Sequence, residues 1–165
     1  MIIKKLIIKN FRSYGDLEWE SKQESGKPFQ YFFGLSGMGK TSFLLAILWC
    51  LYGESGLKNF SVDRGGSNSD EGDVQTSFDC VSRDKISIDS QKAEKVTMSV
   101  QMFFEHNDEN LILTRKYTSK KIYPSEEKHF ELKVPDLYSF KVKKNISDAE
   151  IWISENLPEA SSRFF

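Results

Sequence analysis

The sequence of 165 residues predicts an α/β fold, a mixed β-sheet with a β-rich flank packed against a buried helix, on three observations. Gly34-Leu35-Ser36-Gly37-Met38-Gly39-Lys40-Thr41 fits the phosphate-binding pattern G-x-x-x-x-G-K-[ST]. That octapeptide stands between Phe29-Gln30-Tyr31-Phe32-Phe33, which reads as a short buried strand, and residues 41–52, which are apolar almost all round as in a helix packed under a sheet. Residues 96–105 and 111–117 alternate apolar with polar and flank Asn107-Asp108-Glu109-Asn110, the pattern of a β-hairpin.

Residues 1–9 are β-branched and apolar with interspersed lysines, which suits a first strand at a sheet edge. Residues 10–15 form a turn, 16–20 a second strand, and 21–28, with Gly26 and Pro28, a loop. Gly53 ends the phosphate-loop helix in the usual C-terminal position. Residues 55–95 hold few large apolar side chains, and 64–73 have the composition of disordered chain, so this region is expected to be a mobile loop or insertion. Two further strands are expected at 130–134 and 137–142, around Pro135. A last helix starts with Ser147 as N-cap, Glu150 three residues on, and Ile146 with Ile151 as hydrophobic staple; it runs to about Asn156, before Pro158.

The glycine-rich loop needs its residue types because a chain wrapping phosphates must turn its N–H groups inward without side chains in the way. Gly34, Gly37 and Gly39 give that freedom, and Ser36, Met38 and Ser42 complete the stretch that borders the phosphates. Lys40 brings an ammonium to the β- and γ-phosphates, and the Thr41 hydroxyl takes one position on a magnesium ion. The following helix adds its positive dipole end.

A formal net charge of −1 argues against a freestanding nucleic-acid module. With no run of about 18 apolar residues and no signal pattern, a cytoplasmic protein without a membrane partner is expected. Cys50 and Cys80 read as free thiols. His106 and His129 read as a turn and a surface histidine, and Trp49 and Trp152 as core or interface anchors. Arg115, Lys116, Lys120 and Lys121, and then Lys141, Lys143 and Lys144, read as solvated strand faces, with DNA-phosphate contacts as the alternative.

In order along the chain, Ile7-Ile8-Lys9-Asn10-Phe11-Arg12-Ser13-Tyr14, the phosphate loop and Ala46-Ile47-Leu48-Trp49-Cys50-Leu51-Tyr52-Gly53 resemble the N-terminal head lobe of the SMC-like ATPases, an ABC-ATPase-like P-loop NTPase fold. The relatives include SbcC-type and RecF-type proteins. The closing Leu157-Pro158-Glu159-Ala160-Ser161-Ser162-Arg163-Phe164-Phe165 looks most like DndD-type ATPases and the SMC-like subunit of Lamassu antiphage systems. The resemblance implies ATP and Mg2+ as cofactors, Arg12 near the phosphates, and Lys40 as the catalytic lysine. It also implies a second head closing over the nucleotide as a homodimer, double-stranded DNA as a ligand, and an effector or nuclease subunit. Ser36 stands where the family commonly has Asn. An Asp-Glu strand, a Ser-Gly-Gly signature and a coiled coil are absent from the 165 residues, so this stretch is expected to be an N-terminal lobe that binds nucleotide without turning it over, within a longer protein. A repair ATPase and a non-catalytic nucleotide-binding scaffold stand as alternatives.

Overall fold

The computed structural model describes residues 1–22, 32–62, 76–82, 96–119, 127–135, 140–142 and 146–158. Alternation of apolar residues builds the strands β1 (Ile2–Phe11), β2 (Tyr14–Glu20), β3 (Val96–His106) and β4 (Glu109–Ser119), followed by β5 (Glu127–Pro135) and β6 (Phe140–Val142). They form one sheet in the order β2-β1-β3-β4-β5-β6, and among the described residues every neighbouring pair is antiparallel. Strand β1 is therefore interior rather than at the edge. Two of its three lysines suit that place because they are paired: Lys4 with Glu105 at 3.0 Å, and Lys5 with Glu18 and Glu20 on the edge strand β2.

Register carries the apolar residues onto one face. Trp19, Leu6, Met102 and Leu113 are cross-strand neighbours in one row, and Leu17, Ile8, Val100 and Arg115 in the next. Helix α1 (Lys40–Tyr52) covers this face with Phe43, Leu45, Ala46, Trp49, Cys50 and Leu51 buried. Its Phe43 ring lies 5.4 Å from Trp19, and its Trp49 ring 5.8 Å from Phe11. Helix α3 (Ile146–Asn156) joins the same core through Ala149 and Ile153, with the Trp152 ring 6.4 Å from Phe104.

The two-residue turn of the β3–β4 hairpin follows from its sequence. Asn107 and Asp108 adopt φ of 50° and 62°, the left-handed pair that Asn and Asp tolerate, and His106 faces Glu109 across it. His106 is more than a turn residue, since its ring stands edge-on to Trp152 at 5.7 Å.

Several expectations are corrected. Residues 29–31 of the expected buried strand lie outside the described residues. Phe32 and Phe33 form no strand and are exposed, Phe33 at 90%. Phe32 is held by rings instead of strand pairing, 5.6 Å from Trp19 and 4.6 Å from Phe43. Within 55–95, a helix α2 (Glu54–Val62) follows Gly53 directly, anchored by fully buried Leu57, and a short turn at Phe78–Cys80 is also placed. Residues 63–75 and 83–95 lie outside the described residues. The last helix starts at Ile146, so Ser147 is in its first turn and not the N-cap, and Ile151 is exposed rather than stapled. Arg115 is no solvated residue: it lies on the face that α1 covers. Lys120, Lys121, Lys143 and Lys144 lie outside the described residues.

Candidate phosphate-binding site

The loop between Phe32 and α1 is shaped by two glycines. Gly37 and Gly39 both have φ of 83°, the left-handed region that costs an L-residue about 1–2 kcal/mol. A Cβ on Gly39 would stand 2.8 Å from the Tyr14 hydroxyl and 3.2 Å from the Ser13 hydroxyl, so the loop also needs glycine to pass beneath the β1–β2 turn. Tyr14 Oη donates to the Gly39 carbonyl at 3.0 Å, and Phe43 N–H donates to the same carbonyl at 2.9 Å. Lys40 Nζ donates to the carbonyls of Gly34 (2.6 Å) and Leu35 (2.7 Å), which draws the loop around its own ammonium. The N-terminus of α1 has no side-chain cap and no acidic residue in its first turn, so its positive end meets an anion without competition.

The β1–β2 turn supplies a second wall. Phe11 faces Tyr14, leaving Arg12 and Ser13 at the tip, and Asn10 and Arg12 have φ of 53° and 51°. Asn10 tolerates this conformation and Arg12 does not adopt it freely, and neighbouring hydrogen bonds hold both. Arg12 N–H donates to Cys80 O at 2.6 Å, Ser82 N–H to Asn10 O at 2.9 Å, and Asn10 Nδ2 to Thr97 O at 2.8 Å. Phe11 also forms a bridge with Val81. The 76–82 segment is thus a clip on the end of β1. Its far side is fixed by Trp49 Nε1 donating to Ser77 Oγ at 3.1 Å, and by Ser77 N–H donating to Glu54 Oε1 at 3.1 Å.

Loop, turn and clip enclose a cavity of about 600 Å3. Arg12, Ser36, Gly37, Gly39, Lys40, Thr41 and Ser42, all expected from sequence, line it. Gly34 and Met38 do not: Gly34 contributes its carbonyl to Lys40, and the Met38 side chain is 67% exposed. Ser13, Asp79, Val81 and Ser82 line it without having been expected. Ser13 belongs to the string that carries the family resemblance. The other three stand about 40 residues beyond the loop in a polar stretch, and no local pattern marks them.

Burial pushes the Cys80 thiol up to about 11, against the pull of the Arg12 guanidinium beside it. Burial likewise raises the Tyr14 hydroxyl, which therefore stays a neutral donor to Gly39. Five hydroxyl side chains (Ser13, Ser36, Thr41, Ser42 and Ser82), an ammonium, a guanidinium and a helix N-terminus thus line one open cavity together with a single carboxylate, Asp79, a set whose cationic side suits a polyphosphate with a divalent cation. Thr41 and Ser42 both line the cavity, and Thr41 is the residue whose hydroxyl would serve such a cation. Among the described residues no group of three or more His, Cys, Asp or Glu could hold a metal alone, so the phosphates themselves would supply further ligands. No described helix is long and apolar enough to cross a membrane.

A protein-family model described as AAA domain matches residues 5–162. No curated protein matches the chain. Among 21 matching solved chains, one is described by the words "Structural biochemistry of ATP-driven dimerization and DNA stimulated activation of SMC ATPases". It aligns with 100% of this chain and 85% of its own at a TM-score of 0.54 and 17% identity, a likeness of fold.

Proposed function

The chain belongs to the AAA domain family, and on that premise we infer that it binds ATP with Mg2+ as half of an SMC-like ATPase head. The observation that carries this reading is the cavity that Lys40, Thr41 and Ser42 share with Arg12 and Ser13. Lys40 takes the β- and γ-phosphates, Thr41 a place on magnesium, and Arg12 the charge on the outer side of the phosphates. Nucleotide closes two heads on one another, and the exposed Leu35 and Met38 beside the site supply apolar surface for that contact. Closure is coupled to DNA sensing or processing. The solved SMC ATPase is described as dimerising with ATP and responding to DNA, and the same use of this fold supports the reading here. The likeness of the closing segment to DndD-type proteins favours a bacterial antiphage or DNA-modification setting, with an effector subunit, over repair.

The test is MgATP binding and sedimentation of the full-length protein. Wild type should bind and dimerise with MgATP. Lys40→Ala should lose about 100-fold in affinity, roughly 3 kcal/mol, and remain monomeric. MgATP binding without dimerisation or turnover would favour the scaffold, and equal binding by both proteins would end the nucleotide reading.

A further inference from the structure

The end of α1 opposite the phosphate loop has an arrangement that packing alone does not require. Arg115 stands in the row Leu17, Ile8, Val100, Arg115, a cation on the apolar face of the sheet, with only 14% of its side chain exposed. Burial lowers its pKa, and the cost of burying the charge is offset by a partner for each guanidinium nitrogen. Nε donates to the carbonyl of Cys50 at 3.1 Å and Nη2 to that of Leu51 at 3.2 Å, while Nη1 lies 3.6 Å from Glu150 Oε1 on α3. Helix α1 has no basic residue of its own in its last turn, so β4 supplies the cation its negative pole calls for. Gly53 leaves the room: a Cβ there would stand 3.0 Å from Nη1.

Apolar contacts hold a helix against a sheet without fixing its position along its axis, whereas directional hydrogen bonds do fix it. The Arg115 fork and the Trp49–Ser77 bond are such ties, and α1 is about 20 Å long at 1.5 Å per residue. A shift of the tied end moves Lys40 and Thr41 by the same amount against Arg12 and Ser13, which ride on β1. We propose that Arg115 is a positioning residue for nucleotide binding: it ties α3, through Glu150, to the far end of the phosphate-binding helix, so that α3 and nucleotide occupancy are coupled. The proposal rests on the nucleotide-binding reading above. Coupling of this kind is reciprocal, so nucleotide must stabilise α3 as much as α3 favours nucleotide.

The test uses the full-length protein, MgATP titration, thermal melting, and hydrogen exchange of the α3 amides with and without MgATP. Arg115→Ala removes a buried cap and is prone to misfold, so Glu150→Lys carries the test. Glu150 is 59% exposed, and reversing its charge repels the guanidinium from a surface position. The expected result is slower α3 exchange with MgATP in wild type. Glu150→Lys should melt within about 2 °C of wild type, bind MgATP roughly fivefold more weakly, and lose the nucleotide effect on α3. A wild type that binds MgATP with no change in α3 exchange, or a Glu150→Lys protein that binds as wild type, would overturn the coupling. A wild type that binds no MgATP would overturn the underlying reading and the coupling with it, and the titration alone identifies that case.

Discussion

Gly39 meets three demands at one position: a φ of 83°, a carbonyl that accepts from both Tyr14 and Phe43, and no Cβ beneath the Tyr14 hydroxyl. Gly39→Ala should therefore cost about 1–2 kcal/mol for its backbone conformation alone, and more through displacement of Tyr14. Tyr14→Phe, which removes one hydrogen bond, should cost about 1 kcal/mol. The two changes share an atom, so the double variant should lose less than the sum. Additive losses in urea denaturation would show that ring and loop do not touch. The buried thiols set a pH limit. Cys50 is pushed from 9.0 up to about 12 by burial and Cys80 to about 11, so between those limits and 9 the unfolded chain holds fewer protons than the folded one. Stability is fully present below about pH 9 and falls as pH rises above it, each thiol contributing a slope of about 1.4 kcal/mol per pH unit. Cys50→Ala should flatten the decline measured between pH 8 and 10.5, and an unchanged slope would contradict the assignment.

At the scale of elements, what the sequence disclosed depended on how local the cause was. The phosphate loop, the following helix and the β3–β4 turn are fixed by residues within a few positions of one another; the first two stand where the pattern puts them, and the turn is tighter than expected, Asn107-Asp108 alone, with Glu109 and Asn110 already in β4. Arg115 is misread as solvated because its charge is a surface signal, although period two through Leu111, Leu113, Arg115 and Tyr117 places it on the buried face. The clip at 76–82 was not legible, because its causes lie far along the chain, on Trp49, Glu54 and Asn10. Its dependence on a few polar contacts makes it testable. Ser77→Ala leaves the buried Trp49 indole N–H without its partner and should cost about 1–3 kcal/mol. It should also speed exchange of the Arg12 and Ser82 amides, which bond across the clip. Loss of stability with both amides still protected would mean that β1 holds the clip without help from α1.

For the whole molecule, the cavity opens beside a surface that single-chain folding leaves exposed: Phe33 at 90%, Leu35 at 77% and Met38 at 67%. Ligand binding to the folded state alone stabilises it by about 2.7 kcal/mol at 100 times Kd, which for a domain of this size raises the melting temperature by about 5 to 10 °C. A lone lobe that holds MgATP should show that shift independently of protein concentration, since one ligand binds one chain. If nucleotide closes two heads, folded chains are further stabilised by each other, and the shift must grow with protein concentration. Leu35→Ser separates the two contributions, because the Leu35 side chain is exposed and the bond from Lys40 goes to its carbonyl, which the substitution keeps. The full-length variant should retain the concentration-independent part of the shift and lose the rest. Retention of both parts would remove this apolar rim from the closure and leave the phosphates and their cation as what holds two heads together.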